Sequence, residues 1–467
     1  MIRDATRPGE PAEPASYWAV VGAQLRKNRI AMAALALVKA LVLVAVLAPF
    51  LAANVPLLLR EGGAWSSPAV DLLFDRFVYP SGVDVFFNLL LLLGPGWWLA
   101  GRVGAGVRRS RAGEGTARLA AFALSLGVLV GFLGLAVLGG AHLAGRLLLV
   151  AGAPGAVLLG LAYAAGRARW IARARLALAA LFLAALALLG GPWRETRALV
   201  DWRAKAESVA AEGRGFAVFP LVPFHPDNVG EGGPGPTSRS LARPNARNWL
   251  GCDLSGRDVL ARLVFGTRVS LTIGLVAVAI FIGIGTALGS LAGYYQGFAD
   301  IAISRLVEVM ICFPSLFLIL TIIAVFESRS IFLIMAVIGL VGWPGVTRLV
   351  RAEFLRQRNL DYVVAAKAQG IPERRIIFGH VLPNCLGPVL VSATFGIASA
   401  ILVESGLAFL GLGDTTAASW GQMLNAGRSE GQWHLIVAPG FAIFLVVTVF
   451  NLLGEGLQDA LDPKLRR

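Results

Sequence analysis

The chain has 467 residues, of which 57% are hydrophobic and only 15% charged, with a formal net charge of +14. So apolar a composition excludes an ordinary soluble domain, and several unbroken apolar runs of about 20 residues indicate a polytopic membrane protein. The surplus charge lies as arginines in short segments between those runs, a distribution that membrane orientation explains without any nucleic acid.

Residues 1–29 read as an N-terminal arm carrying Pro8, Pro11 and Pro14 and ending in the basic cluster Arg26-Lys27-Asn28-Arg29, which sets it on the cytoplasmic side. No cleavable leader is expected, because a long polar arm precedes an apolar run long enough to span. That first span is expected over 30–52. Lys39 lies inside it and is costly unless it snorkels or faces a partner helix. Residues 53–83 read as an outside loop. Four spans are expected within 84–191, at about 84–100, 119–139, 147–165 and 176–191. Arg102, Arg108, Arg109, Arg111 and Arg118 follow the first of them, and Arg167, Arg169, Arg173 and Arg175 follow the third, marking two cytoplasmic turns.

From 192 to 267 the chain turns hydrophilic and is placed outside, since long loops translocate with little regard to charge. It is expected to open with an amphipathic helix over 193–211 and to pass through the Pro/Gly-rich FPLVPFHPDNVGEGGPGP. It ends in NWLGCDLSGRDVLARLVFGTR, residues 248–268, read as a turn and an amphipathic helix packed on the bundle. Five further spans are expected at about 269–293, 301–326, 331–350, 387–410 and 435–453, which brings the total to about ten. Gly285, Gly289 and Gly293 recur every four residues and form a small-residue ridge that lets a neighbouring helix approach closely. Arg305 and Glu308, three apart on the seventh span, can pair on one face, and Pro314 can kink the same span. Glu404 lies inside the ninth span, where an ionisable group marks either a transport pathway or a buried partner.

With an inside N-terminus, the eighth span exits inside, so the loop 351–385 and the tail 457–467 are cytoplasmic. Within that loop runs DYVVAAKAQGIPERRIIFGHVLPN, Asp361 to Asn384. Ala365 and Ala366 precede Gly370, then come Pro372, an amphipathic run and Leu382-Pro383. The spacing predicts a short helix, a glycine stop, a turn and a second short helix outside the bilayer. The alanines keep its surface low enough for another protein's groove to close over it, while its composition alone suits an ordinary loop equally well.

This stretch resembles the EAA motif of permease subunits of ABC importers, the loop that docks into the ATPase. Ala365, Ala366, Gly370, Leu382 and Pro383 hold the motif's places, while Val364 replaces its Glu and His380 its usual Ile. Such substitutions fit the peptide/nickel branch. A second pattern, G-x-D-x-x-G-R-D-V-L-x-R, is similar to the C-type permeases of dipeptide, oligopeptide and nickel importers, with Gly251, Asp253, Gly256, Arg257, Asp258 and Arg262 in its places. ANVPLLLREGGAW and RAEFLRQRNLDYV look closest to the oligopeptide/microcin-type branch. The resemblance covers the first span and everything from about Asn248 to the closing EGLQDALDPKLR. It implies an all-α polytopic membrane protein with an ABC type I importer permease core over 268–456. Implied partners are a B-type permease forming a heterodimer, two cytoplasmic ABC ATPase subunits and a periplasmic solute-binding protein. The implied activity is ATP-driven movement of peptides across the bacterial inner membrane. Such subunits carry six spans. The four over 84–191 are extra, leave the core's topology unchanged because they are even in number, and read as a structural insertion.

The sequence offers no catalytic or cofactor chemistry. None of Lys27, Lys39, Lys205, Lys367 and Lys464 follows a glycine, so no G-x-x-x-x-G-K-[ST] phosphate loop exists. Cys252, Cys312 and Cys385 are scattered, the histidines dispersed, and no metal or disulfide spacing emerges. A stand-alone ten-span secondary transporter or channel would show repeats between 30–191 and 269–453 and several midplane charges. An intramembrane enzyme in 84–191 would have only His142 to work with. Neither alternative finds those features.

Overall fold

The computed structural model describes residues 17–75, 77–110, 200–227, 240–326 and 330–462. The spans expected near 119–139, 147–165 and 176–191, most of the N-terminal arm and the last five residues lie outside the described residues. In chain order the described elements are α1 (Tyr17–Lys27), α2 (Arg29–Leu51), β1 (Leu58–Glu61), β2 (Ala64–Ser66), α3 (Pro68–Asp71), α4 (Gly82–Ser110), α5 (Trp202–Ala211) and β3 (Gly215–Val218). There follow α6 (Val259–Tyr295), α7 (Gly297–Cys312), α8 (Ser315–Phe326), α9 (Ile331–Gln357), α10 (Asp361–Ala368), α11 (Glu373–Ile376), α12 (Leu382–Phe409), α13 (Trp420–Glu430) and α14 (Trp433–Leu461). Among the described residues five helices are long and apolar enough to cross a membrane. They become six if α7 and α8, bent by 84° at Phe313-Pro314, count as one span. The apolar part of α4, Gly82–Pro95, is shorter than a span.

Two compact units emerge. The first comprises 1–40, 273–404 and 443–467, and the second 41–272 and 405–442. In the first, helical unit, the glycine ridge of α6 receives α9. A methyl group on Gly285 would stand 2.6 Å from Val346 Cβ, and one on Gly293 2.5 Å from Phe354 Cβ. One on Gly289 would stand 2.7 Å from the Thr347 carbonyl. Only hydrogen fits there, so the two helices meet backbone to backbone. Gly456 lets α14 approach Ala31 of α2 in the same way. Asn28 accepts the Ala31 N–H at 3.1 Å and so closes the first turn of α2.

The second unit holds a three-stranded sheet of order β2-β1-β3 that the sequence reading missed. Gly62 and Gly63, both at positive φ, turn the chain back after β1. The register sets Arg60 opposite Trp65 on one side and opposite Phe216 on the other. β1 precedes the extra stretch and β3 follows it, so the pairing of Leu58–Glu61 with Gly215–Val218 joins segments from either side of it in sequence. In the same unit Ala48, Ala52, Tyr79, Val222, Phe224, Ala261, Phe265 and Ala418 form a core. Of the helix expected over 193–211, residues 193–199 lie outside the described residues, and Val200 and Asp201 are not helical. A helix begins at Trp202, where the Asp201 carboxylate accepts the Arg203 and Ala204 N–H groups and caps it. The amphipathic segment ending at Arg268 is likewise no separate helix but the first turns of α6, with no break before the span.

Candidate functional site

The stretch Asp361–Asn384 begins as expected with a short helix, α10, and stops at Gly370, whose φ of +73° a side chain would strain. Pro372 then starts α11. Here the structure differs from the sequence reading. The second short helix is not free-standing but runs through a π-helical turn, Ile377–Val381, directly into α12. Ile376 and Val381, both fully buried, hold that turn down, and Leu382 and Pro383 are the first residues of α12.

The two alanines do different things. Ala365 lies on the open face, whereas Ala366 is 5% exposed and packs inward with the fully buried Val363. Val364 and Phe378 are exposed too, the latter 67%, among the exposed polar residues Lys367, Glu373, Arg374 and Arg375. Phe378 was missed in the sequence, although a Phe between charged residues and a glycine in a polar loop is a signal of a contact residue.

The loop is fastened to the helical unit at several points. Tyr362 donates its hydroxyl proton to Gln357 Oε1 at 2.8 Å, while within the stretch itself Asn384 donates to the His380 carbonyl at 2.8 Å. Arg358 donates to the Tyr294 carbonyl at 2.8 Å, and the Lys367 ammonium sits 5.1 Å from the centre of the Tyr294 ring. Arg351 of α9 grips Asp300 of α7 with two guanidinium nitrogens, the Nη2–Oδ2 contact measuring 2.8 Å. Burial raises the pKa of the Tyr362 phenol above its ordinary value. Tyr362 thus ties the loop to the end of α9, and α9 lies against α6 where no methyl group would fit.

Of the three candidate pathway residues, Arg305 and Glu308 do pair, Nη1 to Oε2 at 2.5 Å. Glu404 is buried near the end of α12, 3% exposed. Glu308 borders a cavity of about 550 Å³ formed by α7 and α9.

In the other unit, the segment 251–262 folds as one knot. Asp253 accepts the Ser255 and Arg257 N–H groups at 3.0 and 2.9 Å and pairs with Arg257 Nε at 2.8 Å, with Arg262 Nε at 3.8 Å. Asp258 accepts the Ala261 N–H at 2.8 Å in the first turn of α6 and an Asn248 amide proton at 2.8 Å, and burial raises its pKa. Gly251 and Gly256 take positive φ. At Gly251 a methyl group would meet the Ala242 carbonyl at 2.4 Å. These six residues thus shape a turn. The neighbouring Arg268, which the sequence reading passed over, is fully buried. It donates to the carbonyls of Ala45 and Val46 at 2.7 and 3.4 Å, to Asp84 Oδ1 at 3.0 Å and to Asn88 Oδ1 at 2.9 Å. The rings of Phe87 and Phe265 lie 5.4 and 5.2 Å from its Cζ. Asp84 and Asn88 belong to α4, the start of the stretch read as an insertion.

Residues 285–467 match the family described as binding-protein-dependent transport system inner membrane component, and residues 16–58 match the N-terminal TM domain of oligopeptide transport permease C. The chain is 43% identical over 233 residues to the dipeptide transport system permease protein DppC of Alkalihalophilus pseudofirmus, covering 49% of this chain and 76% of that one. It is 36% identical over 288 residues to the glutathione transport system permease protein GsiD of Pectobacterium atrosepticum, covering 59% and 92%. It is 40% identical over 223 residues to the oligopeptide transport system permease protein OppC of Haemophilus influenzae, covering 47% and 71%. A solved chain of the inward-facing MetNI methionine ABC transporter aligns over 43% of this chain and 96% of its own, at 16% identity and a TM-score of 0.37.

Proposed function

The chain belongs to the inner membrane components of binding-protein-dependent transport systems, and on that premise we propose that it is the C-type subunit of an importer for di- or oligopeptides or peptide-like solutes. As a member of that family it is a multi-pass permease of the inner membrane, working with ATPase and solute-binding partners. The further assignment pairs it with a B-type permease in a heterodimer served by two ATPase subunits, with both termini cytoplasmic.

In this reading Ala365, Val364 and Phe378 enter a groove on the ATPase, while Gly370, Leu382 and Pro383 give the loop its shape. Ala366 supports it from beneath. Closure of the ATPases pushes the loop, the push passes along α9, and the glycine ridge of α6 together with the Arg351–Asp300 pair turns it into movement of α6 and α7. The observation that carries the reading is the combination of exposed apolar residues in the loop with its bonds to Gln357 of α9 and Tyr294 of α6. The segment 251–262 supports an outer-side structural role, closing the turn that delivers the chain to α6. The stretch 84–191 starts as a structural part of its unit, since Asp84 neutralises Arg268.

The test is uptake of labelled trialanine into proteoliposomes holding the complete importer with its binding protein. Uptake is expected to require ATP and to fall at least tenfold for Ala365→Asp. ATP-independent uptake, or uptake untouched by that substitution, would favour a secondary transporter.

A further inference from the structure

The cavity between α7 and α9 has a chemistry that the coupling role does not use. Its polar lining is Ser304, Glu308, Thr347, Arg348 and Arg351, and Ile303, Val307 and Ile311 give it an apolar wall. Arg351 is committed to Asp300, and the Thr347 hydroxyl donates to the Trp343 carbonyl at 3.2 Å. Arg348 has no hydrogen-bond or ion-pair partner among the described residues, and Glu308 shares one carboxylate oxygen with Arg305 and keeps the other open. The Arg305 and Glu308 side chains are 74% and 58% exposed on a mostly apolar helix. Charges so placed cannot face hydrocarbon and must look into water or a partner. At 1.5 Å per residue, Arg348 lies roughly 26 Å along α9 from Ile331, near the end that leads to the coupling loop.

We propose that this cavity is a solute site on the loop-proximal side of the permease. Arg348 holds the carboxylate of a peptide's C-terminus, Glu308 holds an ammonium, and the isoleucine–valine wall accommodates a side chain. This rests on the permease reading above. A volume of about 550 Å³ falls within the range of pockets for small ligands. Charge complementarity selects a zwitterion. A lipid phosphate would gain Arg348 but meet the carboxylate of Glu308, whereas a zwitterionic peptide has a partner in the lining for each of its charges.

The test is equilibrium binding of labelled trialanine to the solubilised permease–ATPase complex without its solute-binding protein. Wild type, Arg348→Gln, Arg348→Lys and Glu308→Gln are compared, with C-amidated trialanine as the second probe. Loss of one charge-assisted contact predicts about tenfold weaker binding for Arg348→Gln and partial recovery for Arg348→Lys. Amidation should weaken binding to wild type about tenfold and leave Arg348→Gln indifferent. If wild type retains its ATPases yet ignores trialanine, or discriminates amidation no more than Arg348→Gln does, the site is refuted while the importer reading stands. If Arg348→Gln instead sheds the second permease, the face is a subunit interface and the solute site is refuted as well. Failure of wild type to hold any ATPase would sink both.

Discussion

Gly283 and Gly289 lie on the same helix and invite the same substitution with opposite results. At Gly283 an added methyl group meets nothing within 4 Å. At Gly289 it would stand 2.7 Å from the Thr347 carbonyl oxygen and 2.7 Å from Val350 Cβ. Ordinary contact begins near 3.4 Å. The helices α6 and α9 must therefore separate by 3.4 − 2.7 = 0.7 Å, or the fit must be lost. Overpacking of this kind costs about 1–3 kcal/mol, offset by up to about 1 kcal/mol from replacing glycine inside a helix. Gly289→Ala is expected to lose up to about 2 kcal/mol and Gly283→Ala to gain up to about 1 kcal/mol. Thermal unfolding of the solubilised complex reads both changes. The ratio of solute moved to ATP hydrolysed should fall for Gly289→Ala only. Equal behaviour of the two variants in both assays would refute the claim that the ridge transmits the loop's movement.

Ala365→Asp should leave α10 folded, whereas Ala366→Asp forces a carboxylate into the space beside Val363 and should open the loop to protease. Asp84→Asn leaves the fully buried Arg268 without its counter-ion and should cost about 3–5 kcal/mol in thermal unfolding, with Arg268→Met in the same chain restoring much of the loss. His225, buried between the rings of Tyr79 and Phe265, has its pKa lowered from 6.5 to about 4 by burial, with Asp84 opposing and Arg268 adding to the shift. Its neutral form is the folded one. The stabilisation is therefore complete above pH 6.5 and is lost as the pH falls towards 4, a decline of about 3 kcal/mol that His225→Phe should flatten.

Much of this was legible in the sequence because its signals are local. Gly370 announces a helix stop by its need for positive φ, Pro314 marks a bend, and glycines at intervals of four announce a close helix contact. What stayed hidden depends on partners distant in sequence. Nothing around Leu58–Glu61 says that its second neighbour is Gly215–Val218, although Gly62-Gly63 between two apolar runs signals the hairpin itself. The adjacent alanines look equivalent until the curvature of α10 turns Ala366 inward. Arg268 looks like one more basic residue at a membrane border until Ala45, Asp84 and Asn88 close around it. Val200-Asp201 looked like part of an amphipathic helix because periodicity is blind to a capping carboxylate.

The most direct test of the account is capture of the neighbouring ATPase subunits by the tagged permease, comparing wild type with Ala365→Asp and Phe378→Asp at equal membrane insertion. The account predicts that ATPases accompany the wild type and are lost from both variants, whose own thermal stability stays unchanged because both positions are exposed. ATPases retained by both variants would contradict it, since the exposed apolar residues of Asp361–Asn384 would then not be the place where ATP-driven movement enters the membrane.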